Sequence, residues 1–248
     1  MSGTGRPLHQ CPGFRAVAGE ALRPGGLKLT DRLLGLAALP RGSRLLDLGC
    51  GPGLSARHAA VQWGLRVTGL DTNHADLVRS RARNASAAYI QADLNHPPLR
   101  PATFDAVLCE CVLTLQPDPE RMLSRLAALL KPEGLLLLTD LYLRKPGSPL
   151  QGRSGPGGCL EGAVPRDVME QRLAEAGFTV TLFEDHSRLL AELTARLIFA
   201  GMDPRGGVGA TAGTRPEARP GGKPGYCLIL AARNATGART SAVSEPPL

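Results

Sequence analysis

The chain has 248 residues, 43% of them hydrophobic, with 29 Lys and Arg against 22 Asp and Glu for a formal net charge of +7, which is enough apolar material for one domain with a full core. Its apolar residues fall in short runs, none near the roughly 18 that a membrane span needs, so a membrane protein is not expected. The charge excess sits at the ends (six basic and two acidic side chains over 1–43, seventeen of each over 44–200, six and three over 201–248), and without a basic run interleaved with aromatics no nucleic-acid groove is expected.

The opening MSGTGRPLHQ lacks the apolar stretch of a signal peptide. The six cysteines (Cys11, Cys50, Cys109, Cys111, Cys159 and Cys227) show no zinc spacing. A cytoplasmic protein with reduced thiols and no metal is therefore expected.

Residues 1–20 read as loose chain, and a helix over about 28–38 follows. Strands and helices then alternate: strand 44–48, helix 54–63, strand 66–70, helix 74–83, strands 88–91 and 104–109, helix 119–130 and strand 134–140. Asp118 before Pro119 is an N-cap with proline at the first helical position, and Met122, Leu123, Leu126, Leu129 and Leu130 form one apolar stripe. The run GLLLLTDLYL suits a central strand covered on both faces. Beyond it come a helix from Pro165 to Ala176, a strand FTVTLFED, a helix over about 187–200 and a strand at 226–233. The Gly- and Pro-rich stretch at about 201–225 reads as a flexible insertion, and the chain beyond about 234 as a disordered tail. The expected organisation is an N-terminal segment with a cap helix (1–43), an α/β domain (44–233) and the tail (234–248).

The stretch LLDLGCGPGLSA, residues 45–56, leads from a strand through three glycines into a helix, as nucleotide-binding turns do. A phosphate-binding loop of the GxxxxGK[ST] type is excluded, since no lysine lies between Lys28 and Lys131. A nicotinamide dinucleotide turn stays open on spacing: Gly51, Gly53 and Ala56 satisfy GxGxxA, and Asp71 follows Gly51 by twenty residues. Against it, the turn as a whole reads Asp47-x-Gly49-x-Gly51-x-Gly53, with an acid that a dinucleotide does not need.

With DLGCGPG, VTGLD, YIQADL, FDAVLCECVL and LKPEGLLLL in this order, the chain resembles the class I S-adenosylmethionine-dependent methyltransferases over residues 44–140 and extends plausibly to 233. Within them it is similar to the type 11, small-molecule branch. The resemblance implies a Rossmann-like, doubly wound, mostly parallel seven-stranded sheet that ends in an antiparallel hairpin. It implies S-adenosylmethionine as cofactor and S-adenosylhomocysteine as product. It assigns Asp47 to the glycine turn and the cofactor's amino group, Gly49, Gly51 and Gly53 to close backbone approach, and Asp71 to the ribose, and it places Thr72 among the cofactor-binding residues. Asp93 and Leu94 fall to the adenine, and Cys109 lies beside the cofactor. A carboxylate such as Asp71 accepts from two vicinal hydroxyls at once.

Acceptor residues are expected at the ends of the fourth and fifth strands: Cys111, Asp140, Tyr142 and Arg144. Glu110 and His186 are the candidate catalytic bases, each with an equally plausible structural reading; His58 reads as a surface or packing histidine. Cys109 and Cys111, with Cys159 or Cys11, leave open a metalloid-methylating reading. The segment RPGGLKLTDRLLGLAALP, hinged at Gly25 and Gly26, is expected to cover the cofactor. The expected partner is a small-molecule acceptor, with no nucleic acid and no membrane, and the sequence leaves the oligomeric state open. The other class of function is a non-catalytic, cofactor-binding partner or regulator on the same fold.

Overall fold

The computed structural model describes residues 12–85, 87–144, 160, 162–202 and 222–235. The insertion and tail expected beyond residue 202 fall mostly outside the described residues, as do Cys11 and Cys159.

Seven strands form one sheet: β1 (Arg44–Leu48), β2 (Arg66–Asp71), β3 (Ala88–Gln91), β4 (Phe104–Glu110), β5 (Leu130–Leu143), β6 (Phe178–Asp185) and β7 (Pro224–Arg233). Their order is β3-β2-β1-β4-β5-β7-β6. The first five pair in parallel, and β7 runs antiparallel between β5 and β6. The strand order turns back between β1 and β4, which opens a crevice at their carboxyl ends, the usual ligand position in such sheets.

Among the described residues there are seven α-helices, α1 (Pro12–Ala18), α2 (Leu27–Ala37), α3 (Leu54–Gln62), α4 (His74–Arg83), α5 (Pro119–Leu129), α6 (Arg166–Glu175) and α7 (Ser187–Phe199), of which α1 packs on α7 and the others flank the sheet. The strands alternate their side chains between two cores. Leu46, Leu48, Val107, Cys109, Leu136 and Leu138 join one with the α5 stripe. Leu45, Ala106, Leu108 and Leu137 join the other with Leu29, Leu33 and Leu34 of α2 and with Ala56 and Ala59 of α3. Burial on both faces is why these parallel strands read as unbroken apolar runs. Asp118 caps α5 as expected, accepting from the Arg121 amide at 2.9 Å.

The expected elements match to within a residue or two, with two departures. Helix α1 lies where loose chain was expected, because Phe14 and Ala18 bury against Leu193 and Leu197 of α7. Strand β5 begins at Leu130, four residues early, since Leu130 pairs with Phe104 before the ladder shifts register. Among the described residues no helix is long and apolar enough to cross a membrane.

Candidate cofactor and acceptor site

The glycine turn leaves β1 at the crevice. Gly49 and Cys50 donate their amides to the Leu70 carbonyl, at 2.7 and 3.2 Å, which ties the turn to β2. Gly49, Gly51 and Gly53 all have positive φ (67°, 50° and 76°), where L side chains are strained. A Cβ on Gly49 would lie 2.5 Å from Val112 Cγ2, and one on Gly53 would lie 2.9 Å from Ser80. A Cβ on Gly51 would meet nothing within 4 Å: its missing side chain faces open space. Asp71 holds this residue from below, one oxygen accepting from the Gly51 amide and the other from the Asn73 amide, both at 2.8 Å. Each of its oxygens keeps a further acceptor direction. Buried Cys50 has its thiol pKa raised by burial, and Asp47 and Asp71 add to the effect.

Above the turn lies a buried polar cluster that the sequence did not reveal. Arg23, in the strap between α1 and α2, is 8% exposed and pairs with Glu110 at the end of β4 at 2.7 Å. Its guanidinium also donates to Thr30 (2.6 Å) and Ser55 (2.9 Å), whose hydroxyls in turn donate to Glu110 at 3.0 and 2.8 Å. Beside them Asp47 is 3% exposed. Its pKa is pushed up to about 8, first by burial and then by Glu110, with Arg23 opposing and Asp71 reinforcing. Asp47 Oδ2 and Arg23 Nε are buried and find no hydrogen-bond partner among the described residues. Glu110, a candidate base with an equally weighted structural reading, accepts from three donors and ties the strap to β4.

On the acceptor side, Cys109 is fully buried, with its thiol pKa raised by burial and then by Asp140. Cys111 takes a left-handed backbone (φ 55°), and its sulfur lies 3.1 Å from the Tyr226 hydroxyl, which donates to Thr139 at 3.0 Å. Asp140 does not present itself to an acceptor. It is fully buried and accepts from the Thr114 hydroxyl (2.6 Å), the Thr114 amide (3.2 Å) and the Leu141 amide (2.8 Å), pinning the turn after β4. Burial, only partly offset by these donors, raises its pKa.

The remaining expected residues disperse. Tyr142 packs edge-to-face on Phe183 (5.3 Å between centroids), and Arg144 reaches Asp185 at 3.6 Å, so both line a groove shared with α6. His186 bonds Glu184 at 2.9 Å, which Arg32 of α2 holds at 2.6 Å, so it belongs to a separate polar group. Asp93 is exposed, its oxygens engaged by Asn95 and His96; Leu94 is buried, and Thr72 is exposed. His58 bonds Asp31 of α2 at 2.6 Å. Among the described residues no three metal-ligating side chains converge. Arg23, Thr30, Ser55 and Tyr226 went unrecognised, because single polar residues that meet only across separate elements carry no local pattern.

A ligand with an adenosine and an amino-acid end fits these features: open space at Gly51, an unmatched buried acceptor on Asp47, an unmatched buried donor on Arg23 and spare acceptor directions on Asp71. Comparison with known proteins points the same way. Residues 46–138 match the family described as methyltransferase domain. The 27-O-demethylrifamycin SV methyltransferase of Amycolatopsis mediterranei is 30% identical over 194 residues, 74% of this chain and 71% of that protein. The ubiquinone biosynthesis O-methyltransferase of Xanthomonas campestris is 34% identical over 145 residues, covering 56% of this chain and 54% of that one. Several other curated relatives are likewise matched over only about half their length. The fold is shared with the phosphoethanolamine N-methyltransferase 2 of Haemonchus contortus in complex with S-adenosyl-L-methionine, at TM-score 0.69 and 20% identity, over 90% of this chain and 56% of that one. The chain belongs to the class I S-adenosylmethionine-dependent methyltransferases.

Proposed function

We propose that this chain transfers a methyl group from S-adenosylmethionine to a small-molecule acceptor. The observation that carries the reading is the convergence, at the β1/β4 crevice, of the open face of Gly51, the unmatched oxygen of Asp47 and the carboxylate of Asp71. In this reading Asp47 receives the cofactor's amino group and Arg23 its carboxylate, the Gly49–Gly53 turn lies against its backbone-like portion, and Asp71 holds the ribose hydroxyls. Thr72, Asp93 and Leu94 border the nucleoside, whereas Cys109, expected beside the cofactor, is enclosed in the core. Bound there, S-adenosylmethionine supplies a methyl carbon on a sulfonium, open to a nucleophile aligned opposite sulfur.

The chain's own contribution is alignment and exclusion of water. The strap and α2 close over the carboxyl ends of the strands, and Arg23 fastens them to Glu110. Glu110 is a positioning residue here, and no dedicated base is assigned. The acceptor then carries its own lone pair or loses its proton to solvent. Tyr226 and Cys111 belong to one hydrophobic cluster with Leu29, Leu141, Leu160, Leu189 and Leu190, and an acceptor entering beside them would be small and largely apolar. The four described cysteines are all thiols, in keeping with a proposed cytoplasmic location. The metalloid reading gains no support, because Cys109 is sealed in the core.

The test is incubation of the chain with trideuteromethyl-labelled cofactor and a panel of small phenols, carboxylic acids and amines, followed by mass spectrometry. Labelled product with stoichiometric S-adenosylhomocysteine is expected, and deletion of residues 1–27 should lower turnover and weaken cofactor binding. Cofactor binding without any labelled product would favour the non-catalytic partner reading instead.

A further inference from the structure

Asp47 is unusual among the acids of this site. Glu110 has three donors and Asp71 has two backbone amides, but Asp47 is buried with an oxygen that meets no donor among the described residues. The groups facing it come from every neighbouring element: Arg23 from the strap, Asp71 from β2, Tyr89 from β3, Glu110 and Cys109 from β4, and Cys50 from the turn itself. Arg23 is the cation in this set, and its charge is already committed to Glu110 at 2.7 Å. Asp47 thus shares one guanidinium with Glu110, and the Asp71 charge adds to the repulsion on it. Asp47 accepts from the Ala56 amide, but it has no cation of its own and one oxygen without a donor among the described residues, and a buried carboxylate so placed is more stable protonated.

We propose that Asp47 is a neutral carboxylic acid in the ligand-free chain, and that the cofactor's ammonium group ionises it on arrival, so that binding expels one proton to solvent. The inference rests on the assignment of the cofactor's amino end to Asp47. The balance is simple. The ligand enters with its ammonium intact, the O–H bond of Asp47 breaks, and its proton leaves to the buffer while an ammonium–carboxylate pair forms. Burial and the neighbouring Glu110 charge, which hold the pKa near 8, set the working range. Below that value the proton is present to be lost. The ligand's α-amino group, with an ordinary pKa of about 7.8, is also charged there.

The experiment is calorimetric titration of the full chain at about pH 7 in buffers of low and high ionisation enthalpy, with three ligands. S-adenosylmethionine and S-adenosylhomocysteine both carry the ammonium and should each release close to one proton. 5′-Methylthioadenosine keeps the nucleoside but lacks the amino-acid end, and should release none. From about pH 7 to pH 6, affinity for the first two should fall close to tenfold per unit, since the proton must then be displaced at higher concentration. Asp47→Asn should still fold, as shown by its melting curve, and should bind S-adenosylmethionine about tenfold more weakly with buffer-independent heat. Binding with buffer-independent heat in the unaltered chain, or proton release that persists in Asp47→Asn or with 5′-methylthioadenosine, would overturn the proposal and leave the cofactor assignment standing. Failure of all three ligands to bind would overturn both.

Discussion

Gly49 and Gly51 stand two residues apart in one turn, with similar backbone angles, yet their replacement by alanine should have opposite consequences. Both sit at positive φ, so either alanine carries about 1–2 kcal/mol of backbone strain, offset by about 0.5–1 kcal/mol from a stiffer unfolded chain. At Gly51 nothing more is added, because a Cβ there meets no atom within 4 Å. Gly51→Ala should therefore lose about 1 kcal/mol, a fall in Tm of roughly 2–4 °C. At Gly49 the new methyl would press into Val112 Cγ2 at 2.5 Å, and such overpacking costs a further 1–3 kcal/mol or so. Gly49→Ala should lose about 2–4 kcal/mol, and Val112→Ala in the same chain should restore part of it. Cofactor binding should rank the other way: Gly51→Ala puts a methyl into the space assigned to the ligand and should weaken S-adenosylmethionine binding by at least about 30-fold, roughly 2 kcal/mol. Melting curves and calorimetric titration of the two variants and the rescue suffice. Equal destabilisation by the two alanines, or normal cofactor affinity in Gly51→Ala, would refute this division of labour.

Further outcomes follow from the buried polar groups. Arg23→Ala leaves Glu110 buried without its cation and should cost about 3–5 kcal/mol in denaturant unfolding, whereas Arg23→Met combined with Glu110→Leu should cost much less. Asp140→Ala strands the Thr114 hydroxyl and amide and should cost about 2–4 kcal/mol, with Asp140→Asn recovering part of that in the same assay. Asp47, with its pKa raised from 3.8 to about 8, favours the ligand-free fold most fully below pH 4, and that contribution is lost as pH rises to about 8. Asp47→Asn should remove this loss and leave ligand-free stability higher than that of the unaltered chain at pH 8. Asp105 and Glu184 have lowered pKa values, the first opposed by burial but held by Lys131, the second held chiefly by Arg32, so their stabilising share is lost on the acid side instead.

What could be read from the sequence was what is encoded locally. The glycine turn, the alternation of strands and helices, and the Asp118–Pro119 cap each rest on residues within a turn or two of one another, and each has its expected place. Helix α1 escaped notice because seven residues do not hold a helix alone; Leu193 and Leu197, far along the chain, hold it. The cluster around Arg23 was invisible for the same reason. Its partners Ser55 and Glu110 come from other elements, and a lone arginine before PGG looks like any surface arginine. Asp140 departed in the opposite sense: its place at the end of the fifth strand pointed to the acceptor, and only the turn carrying Thr114 shows that its carboxylate is enclosed. Glu110 was correctly placed at the crevice, but its three donors, two of them from the strap and α2, give it an anchoring part that position alone does not indicate.

The most direct test of the cofactor assignment is parallel titration of the purified chain with S-adenosylmethionine and NADH, repeated on Asp71→Ala. Micromolar binding of S-adenosylmethionine, weakened about tenfold or more by the substitution, with no heat from NADH, is the expected result. Binding of NADH with no response to S-adenosylmethionine would contradict it, and would make Gly51, Gly53 and Ala56 a dinucleotide turn after all.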